Sequence, residues 1–164
     1  MKRFQTLMAL AVTLLLAACA SSPPVLETEG VNRTMTPQQV SSGEPTALET
    51  PLLWGGVIVS TANLAEHTQL EVLSYPLKGL RPDTSATPTG RFLIRHEGYL
   101  ETIDYASGRE VSVVGTVTGM QEQNVGEARY EFPVLKDQQI HLWPVARPQQ
   151  EPRLNFGFGV VLSN

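Results

Sequence analysis

From Leu52 onward, short apolar stretches alternate with turn residues, a texture that predicts strands and not helices. Leu52 to Thr61 (LLWGGVIVST) reads as a strand with a glycine pair in its middle, and Thr68 to Leu77 (TQLEVLSYPL) as a second. Gly90 to Arg95 (GRFLIR) is a third, with a continuation through Tyr99-Leu100. Arg109 to Met120 (REVSVVGTVTGM) carries the clearest period of two. Val111, Val113, Gly115 and Val117 fall on one face, and Ser112, Val114, Thr116 and Thr118 on the other. Glu127 to Leu135 is a fifth strand, with Tyr130, Phe132 and Val134 on one face, and Gln139 to Val145 (QIHLWPV) is a sixth.

Six short strands within residues 51–146 predict a mainly β domain, a small OB-fold-like barrel whose closure protects its strand edges. An immunoglobulin-like sandwich is the alternative. It usually shows more strands and a core Trp between two cysteines. The Gly55-Gly56 pair fits a first strand that must bend to pair on two sides, by a bulge or by close backbone approach.

Upstream the pattern dissolves. Residues 20–50 contain Pro23, Pro24, Pro37 and Pro45 among many Ser, Thr, Gln and Glu, with few large apolar residues and no sustained period. Such a segment predicts a disordered tether. Thr36-Pro37-Gln38-Gln39-Val40 could start one helical turn, because Pro suits the first helical position.

The N-terminus has a different pattern again. Met1-Lys2-Arg3 is a short basic region, and Phe4 to Ala18 is an apolar run too short to span a bilayer comfortably. It reads as a signal peptide ending in Leu16-Ala17-Ala18-Cys19. That ending matches a bacterial lipobox, a Leu and two small residues before Cys. The expectation is cleavage between Ala18 and Cys19 and acylation of the Cys19 sulfur, anchoring the chain by lipid. An ordinary signal with a chance Cys is the competing reading. Ala20 after the Cys, where Asp commonly retains lipoproteins at the inner membrane, predicts export to the outer membrane. The domain is expected to face the periplasm. The organisation is therefore a signal peptide at 1–18, a lipidated Cys and flexible tether at 19–50, a barrel domain at 51–146 and a tail at 147–164.

Charge narrows the partners. The chain carries 12 Lys+Arg against 16 Asp+Glu. Loss of Lys2 and Arg3 with the leader leaves 10 basic residues against 16 acidic, a formal charge of −6. This disfavours nucleic acid, and there is no polybasic patch for anionic lipid. Cys19 is the single cysteine, so an internal disulfide and a Cys-based zinc cage are both excluded.

Chemistry-bearing patterns are sparse. His67, His96 and His141 show no metal-ligand spacing, and there is no G-x-S-x-G elbow. Neither a metal nor a cofactor is expected. Carboxylate pairs are Glu97 with Glu101 or Asp104, and Glu122 with Glu127 or Glu131. A hydrolase acting on an envelope glycan or peptide would need one such pair across a cleft; solvated loop charge is the plainer reading. Arg91, Arg95, Arg109 and Arg129 lie in or beside strands, with Arg91 and Arg109 directly after glycines that close turns. Trp54, Arg91, Arg109 and Trp143 form the candidate binding surface, since Trp and Arg are enriched at binding hot spots. The competing reading makes the tryptophans core and the arginines ion-pair partners.

Trp54-Gly55-Gly56-Val57-Ile58, Leu70-Glu71-Val72-Leu73-Ser74-Tyr75-Pro76-Leu77, Gly90-Arg91-Phe92-Leu93, Gly98-Tyr99-Leu100, Val113-Val114-Gly115, Pro133-Val134 and Leu142-Trp143-Pro144 occur in this order. In that arrangement the chain resembles the Slp family of outer-membrane lipoproteins, over Cys19 and Thr36 to Pro144. It departs from the family in Glu101-Thr102, where Asp-Pro is common, and in its tail, Leu154 to Leu162. The resemblance implies location and a β-barrel domain and carries no catalytic mechanism. The expected function is a non-enzymatic envelope module that binds a protein or an envelope polymer.

Overall fold

Strand β1 (Leu52–Asn63) begins with five consecutive buried residues because it has neighbours on both edges and both faces. Its first half, Leu52 to Val57, pairs antiparallel with β6 (Glu110–Val125). From Gly56 on it pairs with β2 (His67–Ser74). The computed structural model describes residues 25–43 and 50–145. In β2 burial alternates strictly, with Thr68, Leu70, Val72 and Ser74 inside, as a half-buried strand requires. A two-stranded ribbon, β3 (Leu77–Lys78) and β4 (Arg81–Pro82), leads to β5 (Arg91–Glu97), which pairs with β2. β6 and β7 (Ala128–Leu142) make a long hairpin turned at Gly126, and β7 closes the ring by pairing parallel to β5.

The result is a closed barrel in the order β1-β2-β5-β7-β6, the five-stranded Greek-key arrangement of an OB-fold. Five strands build it, not six: the fifth and sixth sequence segments are one strand. The polar run Lys136-Asp137-Gln138-Gln139 reads as an interruption. It is instead a bulge, with Val114 opposite Gln139 and Gly115 opposite Asp137, leaving Gln138 as the extra residue. A bulge admits one unpaired residue without ending a ladder. β5 stops at Glu97 and does not continue through Tyr99-Leu100, because Gly98 turns out of the sheet at φ 93°.

The bulge of β1 lies at Val59, between the pairs Ile58–Val72 and Ser60–Glu71, and not at the glycine pair. The glycines serve close approach. A Cβ on Gly56 would run into the Leu73 carbonyl, and one on Gly55 would lie 2.8 Å from Leu77 Cδ2 and 2.9 Å from Ser112 Oγ.

The barrel interior is filled by Leu52, Trp54, Ile58, Leu70, Val72, Phe92, Ile94, Val111, Val113, Val117 and Leu135, all buried. Outside it, Leu53 and Val114 form a second apolar cluster with Leu26, flanked by Val31, Leu77 and Leu80. Leu26 belongs to the segment read from sequence as tether. Within the described part of that segment, residues 25–43, the chain is packed on the barrel. Asn32 bridges Leu52, and the short helix α1 (Pro37–Ser41) places Val40 in the core. The helical turn begins where the sequence indicates, with Thr36 as N-cap, Pro37 at its start and Gln39 completing a capping box. The low apolar content of the segment hid this docking, because a few apolar side chains suffice when they enter clefts already formed by a barrel. Ala18, Cys19, most of the signal segment and the tail at 147–164 lie outside the described residues.

Candidate functional site

The four residues grouped from sequence do not share one surface. Trp54 lies inside the barrel, 3% exposed. Its ring meets Phe92 edge-on at 5.0 Å, and its indole N–H donates to the Met35 carbonyl at 2.7 Å. It is a core residue that also fastens the N-terminal segment. Arg91 sits across the β2–β5 pair and forms an ion pair with Glu71.

Arg109 and Trp143 do come together. Gly108 (φ 88°) turns the chain into β6, so Arg109 points back along the end of β7. Its Nη1 donates to the Asp104 carbonyl at 2.7 Å and its Nη2 to the Trp143 carbonyl at 3.2 Å. Its Nε is buried without a partner. The half-buried Trp143 ring packs edge-on to His141 at 4.5 Å and donates through Nε1 to Ser112 Oγ at 2.9 Å. Ser112 passes the chain on to the Leu80 carbonyl. Arg81, which sequence reading missed, lies 5.8 Å over the Trp143 ring and pairs with Glu110. Its place in a two-residue strand gave no periodic signal. These residues line a shallow hollow of about 110 Å³ with Gly108, Pro144 and Val145. The hollow offers a guanidinium over an aromatic face, a geometry suited to cation–π packing and modest in reach.

A larger open groove, about 510 Å³, lies on the outer face between β2, β5, β7 and β6, lined by Glu66, His67, Arg95, Glu97, Thr118 and Lys136. Arg95 and Lys136 are partners in the parallel register. Lys136 bonds Glu97 at 2.6 Å, and that bond and its charge hold the Glu97 carboxyl below the ordinary range. A general acid needs the opposite shift. Behind the groove, inside the barrel mouth, His96 meets Asp137. Tyr105 lies nearby, its phenol pushed above the ordinary value by burial first and by Asp137 and Asp104 next. Among the described residues no group of three or more His, Cys, Asp or Glu is placed to hold a metal ion, and no helix is long and apolar enough to cross a membrane.

The same barrel mouth carries a different kind of surface. The β1–β2 turn exposes Leu64, and the 98–109 connection exposes Tyr99 and Ile103, at 51%, 64% and 80%. The two segments are laced together. Thr68 Oγ1 donates to the Gly98 carbonyl and accepts from the Leu100 N–H, Asn63 Nδ2 donates to the Leu100 carbonyl, and Thr61 Oγ1 to that of Tyr105. Leu100 and Tyr105 pack inward against the core.

The family model for the outer membrane lipoprotein Slp family matches residues 16–158. An uncharacterized protein of Haemophilus influenzae is 28% identical over 143 residues, 84% of this chain and 75% of that protein. The uncharacterized lipoprotein YeaY of Escherichia coli is 30% identical over 128 residues, 75% of this chain and 64% of its own. The outer membrane protein Slp of the same organism is 31% identical over 91 residues, 55% of this chain and 48% of its own. Among solved structures, the mitochondrial single-stranded DNA-binding protein Rim1 of S. cerevisiae aligns with a TM-score of 0.37 at 15% identity, over 56% of this chain and 92% of that one.

Proposed function

The chain belongs to the Slp family of outer membrane lipoproteins, and on that premise we propose that it is cut after Ala18, acylated on Cys19, and works by binding and placement at the membrane and not by turnover. The observation that supports this most is the spacing between the anchor and the barrel. Packed chain begins at Val25-Leu26, with Leu26 2% exposed. Six residues from Cys19 reach at most about 20 Å even when fully extended. The anchor therefore holds the barrel close to the lipid surface, where its effective concentration toward envelope components is high.

The ionisable side chains fit this reading. Arg81–Glu110, Arg91–Glu71, His96–Asp137 and Lys136–Glu97 are paired with one another. The partner is an envelope protein or an envelope polymer, and the Arg81, Arg109 and Trp143 hollow is its candidate contact. The hydrolase reading asks Glu97 or Glu131 to act as an acid. Glu97, held low by Lys136, is the wrong way for that role, and Glu131 stands exposed opposite Glu122.

Two measurements test the proposal. Cys19→Ser should leave an uncleaved precursor missing from the outer-membrane fraction; normal processing of that variant would overturn the anchor. Purified lipoprotein incubated with peptidoglycan should leave it intact. Turnover that disappears in Glu97→Gln or Glu131→Gln would establish the enzyme instead.

A further inference from the structure

The barrel mouth with Leu64, Tyr99 and Ile103 has no described role in fold or chemistry. Ile103 is 80% exposed, more than any other large apolar residue described. Exposed apolar side chains scattered singly mean little. These three are not scattered. They stand on two adjacent segments tied by four side-chain to backbone hydrogen bonds, so their positions are fixed relative to one another.

The chain's own route says what lies near this mouth. β5 runs toward it and ends at Glu97, where the exposed 98–109 connection begins. β7 runs parallel to β5 and so toward the same end, finishing at Leu142. The backbone N–H of Glu27 donates to the side chain of Gln139, three residues before that finish, at 2.8 Å. The N-terminal segment thus crosses the barrel beside the part of β7 nearest this mouth. Val25, 49% exposed, stands two residues earlier and six after Cys19. A chain anchored at Cys19 leaves the domain on the side from which Leu64, Tyr99 and Ile103 project.

We propose that these three side chains dock into the bilayer to which Cys19 is anchored, fixing the barrel mouth-down on the lipid surface. This rests on the lipid-anchor reading above. Leu64 and Ile103 enter the region below the head groups, and Tyr99 sits at their level, where an aromatic body with a polar tip is at home. The charges on the same segments are Glu66, Glu101 and Asp104, all exposed carboxylates, with Arg109 behind them turned to backbone carbonyls. An acidic rim is repelled by anionic lipid. The surface that suits it is zwitterionic, and the attraction is apolar contact added to the acyl anchor, a two-signal attachment.

The test uses the full lipidated chain in phosphatidylcholine vesicles with bromine on shallow acyl carbons. Tryptophan is placed at the mouth by Ile103→Trp and, as a control, on the far hairpin by Met120→Trp, which is 40% exposed in the native chain. Each variant is read against the background of Trp54 and Trp143. The expected result is at least twofold quenching of the Ile103→Trp signal by brominated lipid with the Met120→Trp signal unchanged, and weaker quenching when anionic lipid is added. Equal or absent quenching in chains whose Cys19 acylation is confirmed by mass spectrometry overturns the docking and leaves the anchor standing. A blue shift at position 103 without bromine quenching assigns the mouth to a second copy of the chain and also overturns it. Chains found without acyl groups overturn the anchor reading, and the docking with it.

Discussion

The imidazole Nδ1 of His96 lies 2.7 Å from the carboxylate of Asp137, joining neighbouring positions on the parallel pair β5 and β7. The Asp137 side chain is 7% exposed and the His96 side chain 26%. A covered carboxylate that loses its partner keeps its desolvation cost. His96→Ala should therefore destabilise the domain by about 1–3 kcal/mol. His96→Ala combined with Asp137→Ala should cost less than the two single changes added, with a coupling of about 0.5–3 kcal/mol. Urea denaturation of the four proteins measures this; strict additivity would mean that the contact contributes nothing.

Gly56 and Gly119 should respond oppositely to alanine. A Cβ at Gly56 collides with the Leu73 carbonyl, which is backbone and cannot step aside, whereas one at Gly119 meets nothing within 4 Å. Gly56→Ala should cost about 1–3 kcal/mol through overpacking. Gly119→Ala should be neutral or stabilising by up to about 1 kcal/mol, because it restricts the unfolded chain. Thermal melts of both variants decide the matter; similar losses in both would show that close approach is not what Gly56 provides.

The packed N-terminal segment shifts the expected protease boundary. Limited digestion should yield a core that retains Leu26, with cleavage falling before Val25 or within residues 44–49 and not freeing the chain at Leu52. Leu26→Ala should cost about 2 kcal/mol or more, since Leu26 is fully covered by Leu53 and Val114. A stable fragment beginning at Leu52 with an unchanged melting temperature would show that the segment is dispensable.

Tyr105 gives a pH-dependent prediction. Its phenol is held above the ordinary 10.0, by burial first and then by Asp137 and Asp104. The folded state keeps this proton longer than the unfolded state does. The contribution is therefore complete below the unfolded value and is lost as pH rises through the folded one. Tyr105→Phe should flatten the fall in melting temperature between about pH 9 and 11, the range in which an ordinary tyrosine begins to ionise. Identical profiles for parent and variant would remove Tyr105 from the alkaline response.

The β character, the barrel and the inward face of β6 were legible because Val111, Val113 and Val117 repeat at the period of a strand. Gly90 and Gly108 were legible as turn residues and have φ of 115° and 88°. What escaped has definable causes. A bulge at Gln138 looks like a turn when only polarity is read. Trp54 looks like a contact residue until its indole is seen donating to Met35. Leu26 and Val40 look isolated in a Pro- and Ser-rich stretch, because the clefts that receive them are built by strands far away in sequence. The pairing of Arg81 with Glu110 and its place over Trp143 depend on the turn of a two-residue ribbon, and no spacing rule encodes that.

The contact between Glu27 and Gln139 spans 112 residues. Contacts of such separation form late, because the loop they close is costly before others have shortened it. The clefts that take Leu26 and Val40 do not exist until β5, β6 and β7 have assembled around β1. The first packed segment to be synthesised is thus the last to find its place. Maturation has a built-in order: the chain just beyond Cys19 stays accessible while the barrel closes behind it, and is drawn onto the barrel wall once Leu142 has been added.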